Sequence, residues 1–192
     1  IRASPKPDDR RLAHHAAFAG DGPNVIVHAP RAATLAAALG ARREAAEHSR
    51  AALRWGHLLD DAGRADLLER LSYECYLVDR AEEALQASGQ ARALWQGVGD
   101  RLREGDALRW MSRLSWYNGR SAQAEVFGER AIELLSQLPP GRELAMAWSN
   151  RSQLCMLSGR TREAQEWGHR ALQLSIELAD EARNVAAHAL NN

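Results

Sequence analysis

Lysine is almost missing from this chain: Lys6 is the only one in 192 residues. A phosphate-cradling loop of the form G-x-x-x-x-G-K-[ST] needs a lysine beside its glycines, and no such stretch occurs. Cysteine is nearly as rare. Cys75 and Cys155 cannot build a disulfide framework, and no Cys/His spacing reads as a zinc site. Both are expected to be small buried hydrophobes in a reducing, cytoplasmic compartment. Valine and isoleucine are scarce, no apolar run approaches the roughly 18 residues of a membrane span, and no signal peptide opens the chain. No excess of one charge exists either, with 25 basic and 25 acidic side chains, so direct nucleic-acid binding is not expected. No nucleophile stands beside a base, and no carboxylate pair is set apart from the many surface acids. The chain is read as non-enzymatic, with no catalytic residue, metal ligand or cofactor. It begins at Ile1 and stops at Asn192 inside a helical pattern, so it is expected to be a piece of something longer.

What is present is helix-forming. Alanine, leucine, arginine and glutamate dominate. Residues 1–9 read as an extended lead-in or a helix start, followed by a short helix over 10–19 that Gly20-Asp21-Gly22-Pro23 stops. His14 and His15 on that helix point about 100° apart and are not expected to chelate one ion. Residues 24–39 resume a helical pattern in which Pro30 should kink or restart the helix. Helices are then expected over 42–58, 64–78, 80–96, 101–118, 120–137, 141–158 and 160–178, with a further one starting at 181. Asp100 is placed as an N-cap, and Pro139-Pro140 are placed to open the next helix.

One short design recurs. Ser112 precedes Gly119 by seven residues, and Ala124 follows it by five. Aligning on the turn residues Gly40, Asp79, Gly119 and Gly159 gives separations of 39, 40 and 40. Seven before each turn stand Ala33, Ser72, Ser112 and Ser152. Five after stand Ala45, Ala84, Ala124 and Ala164; twelve after stand Ala52, Ala91, Ala131 and Ala171. The two alanine columns are two helical turns apart and face the same way, which lets neighbouring helix axes approach closely. The pattern predicts an all-α, right-handed α-solenoid of antiparallel helix pairs: four pairs and a truncated fifth. In domain terms, residues 1–40 are irregular N-terminal helices with a first half-repeat, and 41–192 form one continuous run of repeats.

The small–turn–alanine–alanine columns resemble the tetratricopeptide repeat (TPR), whose usual period is about 34 rather than 40. The longer form resembles the repeat domain of MalT-like regulators, the large ATP-binding LuxR-type transcription factors of bacteria. The similarity extends to Leu67-Leu68-Glu69-Arg70-Leu71-Ser72-Tyr73-Glu74-Cys75-Tyr76, to Gly99-Asp100-Arg101-Leu102-Arg103-Glu104-Gly105-Asp106-Ala107-Leu108-Arg109-Trp110, and to Leu12-Ala13-His14-His15 followed by Ala29-Pro30-Arg31-Ala32-Ala33. That resemblance implies an ATPase module before the repeats and a helix-turn-helix domain after them, both outside this chain. This segment would then be the sensing and scaffolding part.

In a helix-pair solenoid the first helix of each pair lines the concave face. Positions two, three, six and ten before each turn are expected to be exposed there. They supply Glu69, Tyr73, Tyr76 and Leu77 in one repeat, Arg109, Arg113, Trp116 and Tyr117 in the next, and Ser149, Gln153, Met156 and Leu157 in the last. Trp110 and Asn150 are expected at the edge of the surface. One reading makes Glu69, Tyr73, Tyr76, Arg109, Arg113, Trp116, Tyr117, Asn150 and Gln153 a groove for a protein or peptide partner or a small effector, with aromatic anchors and arginine donors. The other packs the aromatics between repeats and pairs the arginines with Glu69, Glu74 or Asp106, leaving a scaffold that serves self-association into a homo-oligomer or spacing. Trp55, Trp95, Trp148 and Trp167 are assigned to core or helix-junction packing.

Overall fold

A residue in the left-handed backbone region closes most helices of this protein. In the computed structural model, which describes residues 8–179 and 183–190, φ is +76° at Gly40, +62° at Asp79, +73° at Gly119 and +76° at Gly159. The next amide then folds back onto the helix. Ala41 donates to the Ala36 carbonyl, Arg80 to Cys75, Arg120 to Ser115 and Arg160 to Cys155, each at 2.8 Å. This motif satisfies terminal carbonyls and prevents the helix from continuing. Glycine takes the conformation without a Cβ penalty, and Asp79 is the short polar kind of residue that tolerates it.

The helices are α1 (Asp9–Ala19), α2 (Gly22–Ala38), α3 (Arg42–Leu53), α4 (Asp61–Leu77), α5 (Ala81–Val98), α6 (Arg101–Tyr117), α7 (Ser121–Leu135), α8 (Arg142–Leu157), α9 (Thr161–Glu177) and α10 (Arg183–Leu190). A 3-10 turn, Gly56–Leu58, lies between α3 and α4, and no strand occurs among the described residues. Asp100 caps α6 as expected, accepting from the Arg103 amide at 3.0 Å. Several expectations need correction. The helix expected over 42–58 ends at Leu53, and the one expected from 64 begins at Asp61, where Asp60 caps it by accepting from the Gly63 amide at 2.7 Å. Helix α2 does not restart at Pro30; it runs through it, and the Thr34 hydroxyl donates to the Pro30 carbonyl at 3.0 Å. Pro139 and Pro140 lie before α8 rather than in its first turn, which begins after Gly141.

Contacts gather into two units, one ending at Leu94 and the other beginning at Trp95. In the first, α1 packs on α2, α2 on α3 and α3 on α4 around Ala13, Ala16, Val25, Ala29, Ala32, Ala52 and Leu67. In the second, α6 packs on α7, α8 on α7, α6 and α9, and α10 on α8 and α9. Its core gathers Leu135, Leu144, Ala145, Ala147, Leu174 and Val185. Both alanine columns are buried: Ala45, Ala84 and Ala124 are 0% exposed, Ala164 is 7%, and Ala52, Ala91, Ala131 and Ala171 are 0%.

The serine column does more than leave room. Ser72 donates its hydroxyl to the Ala84 carbonyl at 2.7 Å, Ser112 to Ala124 at 2.7 Å, and Ser152 to Ala164 at 2.8 Å. Each bond ties the two helices of a pair together across the turn. In the first repeat Ala33 has no hydroxyl to give, and Ser49 donates to the Ala45 carbonyl from within α3 at 3.0 Å. A further small column stands nine residues after each turn: Ser49, Ser88, Gly128 and Gly168. A Cβ on Gly128 would come within 3.1 Å of Ser112 Oγ, and one on Gly168 within 3.2 Å of Ser152 Oγ, so the glycines clear space for the serine bonds.

The tryptophans assigned to packing do pack. Trp95 is 4% exposed, Trp55 leans on the core of the first unit, and Trp148 on that of the second. Trp167 is half-buried beneath the Arg170 guanidinium, 4.7 Å from its ring centroid.

Candidate functional site

The residues expected to line a binding face fall in both units, and each unit has its own geometry. In the first, α4 carries Glu69, Tyr73 and Tyr76 along one stripe, since their spacing of four and three keeps them in register on a helix. Tyr73 is 48% exposed, while Glu69 and Tyr76 are half-buried. Beside this stripe a shallow cleft of about 320 Å³ runs between α2 and α4, lined by residues that include Pro30, Thr34, Asp66 and Arg70. The Arg70 guanidinium reaches across it to donate to the Thr34 hydroxyl at 2.7 Å.

In the second unit the expected donors already have partners within the protein. Arg109 Nε donates to Asp106 at 2.6 Å, and its guanidinium lies 5.9 Å from the Trp110 ring centroid. Burial would raise the Asp106 carboxyl, but Arg109, Arg142 and Arg103 outweigh it and hold the group below the usual carboxylate range. Arg113 Nη1 donates to Gln153 Oε1 at 3.1 Å and to His188 Nε2 at 3.3 Å. Arg113 and Gln153 are therefore brought together, with a third helix, α10, added through His188. Asn150 is not at the edge of the surface. It is 3% exposed and donates to Ser112 Oγ at 3.0 Å. One residue's step turns a helix face by about 100°, which carries this position from the surface into the contact between α8 and α6.

The contacts of His188 define its tautomer. Arginine can only donate, so Nε2 is the acceptor and Nδ1 carries the proton, which it gives to Ser149 Oγ at 2.7 Å. Burial lowers the pKa of His188, and the positive charges of Arg113 and Arg109 lower it further. The folded state thus binds the proton less readily than the unfolded chain. Its contribution to stability is complete above the unfolded value of about 6.5 and is lost as pH falls from there through the lower folded value. We expect amides of α10 to be less protected at pH 5 than at pH 7.5, protection being the deuterium exchange rate taken relative to the intrinsic rate at the same pH. A His188→Gln variant should show a smaller pH dependence once intrinsic exchange rates are corrected for; an unchanged profile would mean that another group controls it.

The apolar ends of the helices behave differently. Trp116 is 40% exposed, Tyr117 46%, Met156 39% and Leu157 42%. These are equivalent positions, two and three residues before the turns that close α6 and α8, and α6 packs against α8. The second unit therefore offers four large apolar side chains beside the Arg113–Gln153 pair.

Neither cysteine offers chemistry. Both are buried and unpaired. Burial and the carboxylate of Glu83 push the Cys75 thiol up to about 11, and burial also raises Cys155. His14 and His15 are exposed, with ring centroids 5.8 Å apart. No group of three or more metal-ligating side chains occurs among the described residues, and none of their helices is long and apolar enough to cross a membrane.

A larger cleft of about 570 Å³ lies elsewhere in the first unit, lined from α3, the 3-10 turn, α4 and α5. Sequence reasoning did not find it, because its residues come from stretches that share no motif.

No family model matches the chain, and no curated protein matches it by sequence. Solved structures do match. BtubC (BKLC) from P. vanneervenii superposes with a TM-score of 0.73 at 18% identity, over 88% of this chain and 72% of that one. A protein of nearly identical TPR-like repeats from Podosopora anserina gives 0.67 at 13% identity, over 90% and 95%. MamA gives 0.58 at 16% identity, over 86% and 95%. The chain has the fold of a TPR-like helical-repeat protein.

Proposed function

We propose that this chain is a protein-binding module whose first-helix face captures a peptide segment of a partner. The observation that carries the reading is the exposure of Trp116, Tyr117, Met156 and Leu157 at equivalent positions on α6 and α8. Soluble proteins seldom leave several large apolar side chains together on the surface without a use for them. Aromatic side chains are rigid anchors, and the neighbouring Arg113 and Gln153 supply the polar rim that recognition sites carry. The reading assigns no catalysis and no cofactor. TPR-like neighbours in structure agree with it at the level of fold.

The resemblance to MalT-like regulators supports a finer version. There the repeats form one continuous sensing arm, and capture of a partner or effector shifts the population of arrangements of that arm against an ATPase elsewhere in the parent chain. A second reading, self-association, draws on the same exposed patch, since an apolar surface can bury itself against a second copy.

Selection of peptides from a random displayed library against the 192-residue chain tests the primary reading. Enriched peptides should lose at least tenfold in affinity to a Trp116→Ala, Tyr117→Ala double variant that keeps the wild-type circular dichroism. Peptides that bind the double variant equally well would overturn the assignment of this face. Light scattering across a hundredfold concentration range separates self-association, which predicts a mass that rises with concentration and falls in the same variant.

A further inference from the structure

We propose that the 570 Å³ cleft of the first unit is a second binding site, for an acidic peptide segment in which carboxylate side chains alternate with apolar ones. The cleft is on the other side of α4 from Tyr73. Its α4 residues, Arg64, Leu68 and Leu71, lie about 140° around the helix from Glu69, Tyr73 and Tyr76 at about 100° per residue. It is therefore separate from the face assigned above, and its neighbours are α3 and α5, the second helices of their pairs.

Its chemistry is divided between floor and walls. Leu53, Leu68, Leu71 and Ala87 form the floor, and the last three are no more than 6% exposed. The walls carry Arg50, Arg54, Arg64 and His57 against a single acid, Glu83. These cations are not equally committed. Arg50 is held by Glu83 at 2.6 Å and Glu47 at 2.7 Å, and its third nitrogen reaches Cys75 Sγ at 3.4 Å. Hydrogen bonding to Arg50 keeps Glu83 below the usual carboxylate range, so this pair is internally neutral. The Arg54 side chain has no hydrogen-bond or ion-pair partner among the described residues, and neither do the side chains of Gln86 and Gln90 on the facing wall. Arg64 touches one acid, the exposed Asp61, at 3.4 Å. With Arg50 and Glu83 locked to each other, Arg54 is left unpaired among the described residues and Arg64 is held only by the exposed Asp61 at 3.4 Å, so both guanidinium groups can turn to an incoming carboxylate above the apolar floor.

A guanidinium presents a planar fork that matches a carboxylate. The floor asks for apolar side chains next to that carboxylate. The cleft is an open trough, whereas sites for small molecules enclose most of their ligand. An extended segment fits an open trough because it draws on length: alternate side chains enter the floor while those between meet Arg54, Arg64, Gln86 and Gln90.

The test uses the whole 192-residue chain and two fluorescein-labelled ten-residue peptides, one with a central Leu-Glu-Leu-Glu-Leu and one with Leu-Gln-Leu-Gln-Leu. Anisotropy titration at low salt should give binding of the acidic peptide at least tenfold tighter than that of the amide peptide, weakening as salt is added. An Arg54→Gln, Arg64→Gln double variant should lose at least tenfold for the acidic peptide only. Both positions lie away from the buried core, so the variant should keep the wild-type melting profile; single variants, each losing part of the affinity, cover the case in which it does not. Arg162→Gln, the same change at an exposed site of the second unit, should leave binding intact. Equal binding of both peptides, equal loss in the Arg162 variant, or an unchanged affinity in the double variant would each overturn the proposal. So would full competition by a single-stranded oligonucleotide that depends on Arg54 and Arg64, which would reassign the cleft to nucleic acid.

Discussion

Alanine at position 22 is expected to destabilise the first unit by about 3 kcal/mol, at the upper end of the usual cost of overpacking. Gly22 is the first residue of α2 and is buried. A Cβ there would lie 2.3 Å from Trp55 Cε3, 2.7 Å from Cδ2 and 2.8 Å from Cζ3. These atoms belong to the body of a rigid ring, so no small torsion relieves the overlap. The indole is itself partly buried against the core of the first unit, so displacing it costs packing there as well. Gly105 poses a milder version. A Cβ there would stand 2.5 Å from Leu135 Cδ2 and 2.6 Å from its Cγ; Leu135 is buried, but an aliphatic side chain has more rotamers than an indole, and about 2 kcal/mol is expected. Gly97, exposed in α5 with nothing within 4 Å of its Cβ position, makes the contrast: Gly97→Ala should stabilise by about 0.5–1 kcal/mol by restricting the unfolded chain. Urea unfolding followed by circular dichroism ranks the three. A Gly22→Ala midpoint equal to wild type at equal slope would mean that the indole is free to move aside.

Ser112→Ala is expected to cost roughly 2–3 kcal/mol, against about 1 kcal/mol for Ser152→Ala. Both serines donate to the carbonyl of the alanine twelve residues on. Only Ser112 is shown also accepting from Asn150 Nδ2, at 3.0 Å. Removing its oxygen strands a donor on a side chain that is 3% exposed, and an unmet buried donor costs more than the bond itself was worth. A double-mutant cycle with Asn150→Ala should recover about 1 kcal/mol or more of coupling, because the doubly truncated site has no stranded group. Additive effects would show that the two side chains meet without depending on each other.

The helices were legible because their stop signals are local. Gly40, Gly119 and Gly159 each adopt the left-handed conformation that glycine permits, and Asp79 occupies the same place in its repeat. The alanine columns were legible because a small side chain recurring at the same distance from a turn implies close helix approach. The column of Ser49, Ser88, Gly128 and Gly168 carried the same signal, nine residues after each turn, and alignment on the turn exposes it as readily. Asn150 was misplaced for a different reason. Ser149, expected to be exposed beside it, is also buried, at 0% exposure; the orientation of both depends on where the neighbouring helices come to rest, which no residue of α8 encodes alone. Trp116 and Tyr117 were expected to be exposed, and the structure places them so. The cleft of Arg54 and Arg64 gave no sign, since two arginines ten residues apart look like any other pair in a chain whose basic residues are almost all arginine.

The sequence by itself determined where the glycine- and Asp79-closed helices stop, that the two alanine columns face a neighbouring helix, and that the units repeat. Those features depend on backbone conformation and side-chain size within about 12 residues, a range over which the chain dictates its own geometry. The tertiary structure decided which polar groups meet. Ser112 with Asn150, Arg113 with Gln153 and His188, and Arg50 with Glu83 at the expense of nothing left for Arg54 are matters of distance between helices far apart in the chain. A hydrogen bond is made or lost within a few tenths of an ångström, and only packed helices specify position that finely.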